Sequence, residues 1–302
     1  MIKRTVAISS PAKLSLRDRQ LLMSKTDALG QKLEKTVPIE DIGAVVLEDP
    51  RITVTHGLIA ALIANNAALI TCDAKYHPTG MMLNLCGNTT QAESFRHQTE
   101  ASQPLKKQLW QQVVQTKILN QATVLENTGT KAEVLKSAAS KVKSGDTDNR
   151  EGVAAAYYWP RLFDSYPGFT RGREAGYPNN LLNYGYAILR AVMARSLVGS
   201  GLMPTLGIFH HNRYNHYCLA DDMMEPYRPY IDRVVAAMVE REDDAPDFLT
   251  KEHREKLLTI PTLTVTMNGK QRPLMIAASE TSASLVRCFA GEQRKVVLPE
   301  LQ

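Results

Sequence analysis

The apolar pattern of this chain changes its period once, near residue 90, and that change limits the folds open to it. Before it, short runs rich in Val, Ile, Leu and Thr alternate with turn-forming residues: Thr5 to Ser9, Lys13 to Leu16, Gln20 to Met23, Lys35 to Ile39, Ile42 to Leu47 and Ala67 to Cys72. Runs of that length and spacing read as β-strands. A single helix interrupts them, capped by Thr55 and carrying Leu58, Ile59, Leu62 and Ile63 to a stop at Asn65-Asn66.

Between Met82 and Ser102 the composition turns polar, and beyond it the spacing is helical. Pro104 suits the first turn of a helix over Leu105 to Leu125, with Leu109, Val113, Ile118 and Leu119 near one face. A second helix opens at Asp148 to Gly152, and a third spans Asn180 to Gly199. Arg190, set into its apolar stripe, is expected to snorkel or to pair with a core carboxylate. Near the end, Asn268-Gly269 predicts a hairpin between Thr262 to Met267 and Arg272 to Met275, with a last helix around Ser282 to Phe289. The pattern predicts an α+β chain: a small β-rich N-terminal domain over residues 1–90, then a larger, mainly α-helical C-terminal domain over 91–302.

A 302-residue chain that is 44% hydrophobic can bury cores of that size. The net charge of +5 favours an anionic partner mildly. Cys72, Cys86, Cys218 and Cys288 form no Cys-x-x-Cys pair, so reduced, buried thiols are expected. The basic start Met-Ile-Lys-Arg leads into no apolar leader and no run long enough to span a bilayer, which points to a cytoplasmic protein with no membrane partner.

Chemistry concentrates in Gly207 to Arg233, where three histidines and four carboxylates share an apolar background. Imidazole with carboxylate oxygens suits Mn²⁺, Mg²⁺ or Zn²⁺, and close carboxylates need a cation or a proton to offset their repulsion. Asp222 and Glu225 would share a helical face, while Asp221 would cap the turn. Of His210 and His211, adjacent and therefore differently aimed, one at most is expected to ligate. Glu151 stands in the first turn of its helix, and its spacing from Asp148 predicts a capping box in which it reaches back to the cap amide. Residues 165–178, with Arg171-Gly172-Arg173, read as a surface loop able to touch nucleic acid.

Taken together, several segments resemble the CRISPR-associated integrase, the first of the adaptation proteins, in its type II form. They are Asn149-Arg150-Glu151-Gly152, Leu182-Asn183-Tyr184-Gly185-Tyr186, Gly207 leading to His210, Asn215, Ala220 to Pro229, and Lys117-Ile118-Leu119-Asn120-Gln121. The resemblance implies a β-rich dimerisation domain and a helical domain that holds Mg²⁺ or Mn²⁺ through Glu151, His210 and Glu225, with His211 and Asp222 as possible accessories. It implies a homodimer, a small ferredoxin-like adaptation partner, and double-stranded DNA as substrate, both as prespacer fragments and as the CRISPR repeat. The implied reaction is transesterification, the 3′-hydroxyl of a captured fragment attacking a phosphodiester in the repeat. Arg150 and Arg228, beside the two acids, are candidates for DNA backbone contact or for pairing with those acids. The alternatives are a metal-dependent repair or processing nuclease without integration, and a non-catalytic DNA-binding scaffold.

Overall fold

A computed structural model describes residues 3–26, 30–74, 76, 78–166, 168–172, 176–239 and 248–302. The chain is α+β and divides into two compact units, Met1–Gly87 and Asn88–Gln302.

The first unit carries β1 (Arg4–Ile8), β2 (Lys13–Arg17), β3 (Gln20–Thr26), β4 (Lys32–Pro38), β5 (Ile42–Leu47), β6 (Thr53–Val54), α1 (His56–Ala64), β7 (Ala68–Cys72) and β8 (Pro78–Met82). Two four-stranded sheets result, in the orders β1-β5-β7-β8 and β4-β3-β2-β6. The run Ile-Gly-Ala-Val-Val-Leu of β5 does not alternate because the strand lies between two parallel neighbours and is buried almost throughout. β2 and β3 are joined by Asp18 and Arg19, both at positive φ, as a two-residue hairpin turn requires. Leu14, Leu21, Ile42, Val45, Leu58 and Leu62 form the core between the sheets and α1.

The second unit is built around one rod. Its helices are α2 (Gln91–Glu100), α3 (Gln103–Asn127), α4 (Glu133–Ser140), α5 (Arg150–Leu162), α6 (Asn179–Gly199), α7 (Cys218–Met224), α8 (Arg228–Val239), α9 (Lys251–Leu257) and α10 (Leu274–Phe289), with the hairpin β9 (Thr264–Met267) and β10 (Lys270–Pro273) before the last. The Ser102 hydroxyl accepts the Leu105 amide at the start of α3, and Pro104 occupies its first turn. Along α3, Leu109, Trp110, Val113, Val114, Ile118, Ala122 and Leu125 are buried, because α4, α5, α7 and α8 pack around it.

Three polar residues of this rod, Lys117, Asn120 and Gln121, are buried with the apolar ones. Asn120 donates to the carbonyls of Pro226 and Pro299 at 2.7 and 3.0 Å and accepts the Leu301 amide at 2.9 Å. A buried amide satisfied this fully joins three remote segments at one point. Lys117, one turn earlier, faces Glu151 and Glu225.

α10 begins at Leu274, eight residues before Ser282, because it follows β10 directly with no capping side chain to mark its start. Cys86 is exposed rather than buried. Residues 168–172 are irregular, and Arg171 is turned inward onto Asn179 and Asn183; Arg173 lies outside the described residues. Among the described residues no helix is long and apolar enough to cross a membrane.

Candidate active site

Three segments far apart in the chain meet beside α3. The first is the N-terminus of α5. Asn149, at φ +50°, caps it and accepts the Gly152 amide at 3.2 Å. From one turn upstream, the Asp146 carboxylate accepts the Arg150 and Glu151 amides at 2.8 and 3.0 Å. These two side chains satisfy the first-turn donors, so the expected capping box does not form. Asp148 is instead paired with Lys143 at 2.8 Å, and the Glu151 carboxylate is released for another partner. Gly152 is required here: a Cβ would stand 2.6 to 2.9 Å from the Asn149 amide group.

The second is the loop bearing His210. Asp222, in α7 and fully buried, accepts the amides of Ile208, Phe209 and His210 at 2.7, 3.0 and 3.2 Å, and His210 Nδ1 donates to it at 2.5 Å. One carboxylate thereby folds the loop and sets the ring, leaving Nε2 as the ring nitrogen with a free lone pair. The Asp222 hydrogen bond raises the His210 pKa above its ordinary value, against the effect of burial. Trp110 meets the imidazole edge-on at 5.6 Å between ring centres and stacks on Phe209 at 4.2 Å. Gly207 allows the loop to close, since a Cβ would lie 2.3 Å from the His210 carbonyl oxygen and 2.8 Å from Asp222 Oδ2.

Asp221 does not cap its turn. It accepts Arg190 of α6 at 2.6 and 3.0 Å and Asn215 at 2.7 Å, so the two adjacent acids tie α7 to different partners. Glu225 follows at the start of a 3₁₀ turn, Glu225–Tyr227, with a side chain only 4% exposed. Asp222 and Glu225 are three residues apart, as the sequence requires, yet they serve different partners.

Lys117 joins Glu151 to Glu225. Its Nζ is 2.5 Å from Glu151 Oε1 and 2.5 Å from Glu225 Oε2. Arg228 Nη2 pairs with the other oxygen of Glu225 at 3.0 Å. Burial pushes the Glu225 carboxyl up, but Arg228 and Lys117 outweigh it and hold the group below its usual range. Burial also disfavours the Lys117 ammonium, and the two carboxylates more than compensate. Glu225 Oε2 is out of hydrogen-bond alignment with any donor, so its contact with the ammonium is electrostatic. His210 is near enough to both acids to feel their charge.

The structure thus brings Glu151, Glu225 and His210 into one neighbourhood, with Asp222 behind the imidazole and Arg228 behind the carboxylate. Among the described residues, no three His, Cys, Asp or Glu side chains already converge as a ligand cage. His211 is exposed and lines an open cleft of about 410 Å³ with His210, Lys106, Arg213 and His216. Arg150 is partly exposed, 3.7 Å from Asp148. Behind the site, Asp232 accepts Tyr158 at 3.1 Å and also Tyr186, whose ring lies under the Arg228 guanidinium. Burial raises the Asp232 carboxyl to about 7. Sequence pattern alone gives Lys117 and Asp146 no role, although a lysine four residues after Val113, on the buried stripe, is a signal for the first.

Comparison with known proteins places this geometry in context. Residues 6–268 match the family described as CRISPR associated protein Cas1. The chain is 42% identical over 243 residues to the CRISPR-associated endonuclease Cas1 of Neisseria meningitidis, covering 80% of this chain and 77% of the relative. In fold it resembles a casposase bound to its integration product, with TM-score 0.78 and 18% identity over 98% of this chain and 92% of the other. It also resembles a chain of the Cas6-RT-Cas1–Cas2 complex, with TM-score 0.76 and 19% identity, covering 99% of this chain but 36% of that longer one.

Proposed function

The chain belongs to the Cas1 family of CRISPR-associated proteins, and from that premise we propose that it is a divalent-metal-dependent DNA integrase and endonuclease of spacer acquisition. It joins the 3′-hydroxyl ends of short duplex fragments to the repeat array by transesterification. Glu151, His210 and Glu225 hold Mg²⁺ or Mn²⁺. The observation that carries this reading is the seat between Glu151 and Glu225, where two carboxylates from distant segments share one cationic group beside an imidazole braced by Asp222. One buried and one half-buried carboxylate with a neutral imidazole nitrogen are a fitting donor set for such an ion, and Glu225 Oε2, buried without an aligned donor, is suited to one. When bound, the ion would offset charge at the reacting phosphorus and on the leaving 3′-oxygen and ease deprotonation of the attacking hydroxyl.

The chain supplies position. Asp222 keeps the His210 ring in one tautomer and one orientation, Asp146 and Asn149 hold the helix turn that presents Glu151, and Arg228 steadies Glu225. No protein nucleophile is needed, because the attacking group is the DNA hydroxyl. Phosphate contacts would come from the cleft that holds His211, Lys106 and Arg213, and from Arg150, whereas Arg228 serves the acid. Binding through such contacts weakens steeply as salt rises. The structural neighbours, a casposase bound to its integration product and a Cas6-RT-Cas1–Cas2 complex, favour DNA and a small partner protein as assembly mates. Dimerisation is assigned to the β-rich unit.

The test incubates a prespacer duplex with a supercoiled plasmid carrying the repeat, with and without the small partner. Joined products in the wild type and none with Glu225→Gln are expected. Cleavage without joining would make this a processing nuclease; joining that persists in folded Glu151→Gln and Glu225→Gln proteins would leave a scaffold.

A further inference from the structure

A side chain of the protein itself fills the place between the two acids. We propose that Lys117 is a built-in placeholder: its ammonium holds Glu151 and Glu225 together while the divalent ion is absent, and it withdraws when the ion binds. The inference rests on the metal-binding reading above.

Glu225 is 4% exposed and Glu151 24%, and two ionised carboxylates this enclosed would repel each other strongly without a counter-cation. Lys117 supplies it, at 2.5 Å from each. Arg228 is placed differently: it pairs with the far oxygen of Glu225, Oε1, at 3.0 Å, on the side away from Lys117. The residue type matters as well. A lysine carries a point charge on an unbranched, flexible stem and can leave by side-chain rotation, whereas a guanidinium fork would lock both acids in place.

The backbone beneath Lys117 is fixed, because Val113, Val114 and Ile118 on the same helix are completely buried. Any exchange must therefore be a movement of the side chain alone. The contact with Glu225 lacks hydrogen-bond alignment, so what holds it is charge, which an ion of higher charge would outcompete. An ammonium and a divalent cation cannot share a seat this narrow. The site is competent for metal only while Lys117 is out, so its apparent affinity is the intrinsic one scaled down by that fraction.

Two measurements test this on the full chain. Reductive methylation followed by mass spectrometry is run in EDTA and in saturating Mg²⁺. Lys117 should resist in EDTA and react several-fold faster in Mg²⁺, while Lys251, 74% exposed, serves as the unchanged standard. Mn²⁺ binding is then followed by electron paramagnetic resonance. Lys117→Met should bind Mn²⁺ about tenfold more tightly, as expected where the competent state is a minor one, and Arg228→Met should not. If Mn²⁺ binds but Lys117 stays protected, or Arg228→Met tightens binding equally, the placeholder idea fails while the metal site stands. If Mn²⁺ does not bind, or binds despite Glu151→Gln and Glu225→Gln, the metal reading falls and takes this inference with it. Should Lys117→Met fold poorly, the methylation of the wild type still decides.

Discussion

Replacing Asp222 by Asn tests how much of the site depends on one carboxylate. Asp222 accepts four donors: the amides of Ile208, Phe209 and His210, and His210 Nδ1. An amide keeps the shape but has a single acceptor oxygen, so its NH₂ must face either the Ile208 and Phe209 amides or the two His210 donors. At least two buried donors lose their acceptor whichever way it turns. At about 1–3 kcal/mol for each unsatisfied group, with partial relaxation, the loss is about 2–4 kcal/mol. For a cooperative unit of this size that corresponds to a fall in Tm of roughly 5–12 °C. Released from its brace, the imidazole should also lose about 10–100-fold in metal affinity, as ligands do when the group orienting them is removed. Differential scanning fluorimetry and Mn²⁺ titration measure the two effects. Asp221→Asn is the control, because it loosens the Arg190 clamp without touching Nδ1; it should lower Tm and leave Mn²⁺ affinity nearly unchanged. An Asp222→Asn protein with wild-type Tm and wild-type Mn²⁺ affinity would refute the reasoning.

Other changes should act through neighbouring parts of the same frame. Asp232 titrates near 7 in the folded chain and near 3.9 when unfolded, so the folded state binds the extra proton between those values and stability falls as pH rises from about 4 to 7. Asp232→Asn should flatten that slope, worth at most about 4 kcal/mol, in urea melts at pH 5 and pH 8. Gly152→Ala would drive a methyl group into Asn149 and undo the cap, costing about 1–2 kcal/mol and shifting Glu151; reduced Mn²⁺ binding with a modest drop in Tm is expected. Asn120→Ala leaves two carbonyls and one amide without their partner and should cost about 2–4 kcal/mol by urea denaturation.

Much of the fold can be read from residue patterns because its main signals are local. The unbroken apolar run of β5, the Ser102 and Pro104 start of α3 and the Asn268-Gly269 turn each declare themselves within a few residues. Arg190 pairs with a core carboxylate, one of the two outcomes its position in an apolar stripe allows. The cap of α5 differs from an Asp148–Glu151 box because the N-cap is Asn149, in a left-handed conformation, whose third residue on is Gly152 with no side chain to reach back, and because Asp146 of the preceding turn takes the first two amides. Glu151, His210 and Glu225 stand out as residue types, but no spacing rule says what lies between them. Lys117 is 34 residues from one acid and more than a hundred from the other, and only the packing of α5 and the Glu225 turn against α3 makes it their common neighbour. Asp222, which looks like a twin of Glu225 in sequence, is turned to the opposite task by the loop amides it satisfies.

Asn120 and Lys117 sit one turn apart on α3, and between them they grip Glu225 at both ends, the lysine by its carboxylate and the asparagine by the carbonyl of the proline that follows it. The acid is thereby indexed to a single helix. Chimaeras that exchange α3 or the 225–227 turn between relatives should keep function only when both are transplanted as one module, whereas exchanges confined to the outward-facing residues of α4 should pass unnoticed.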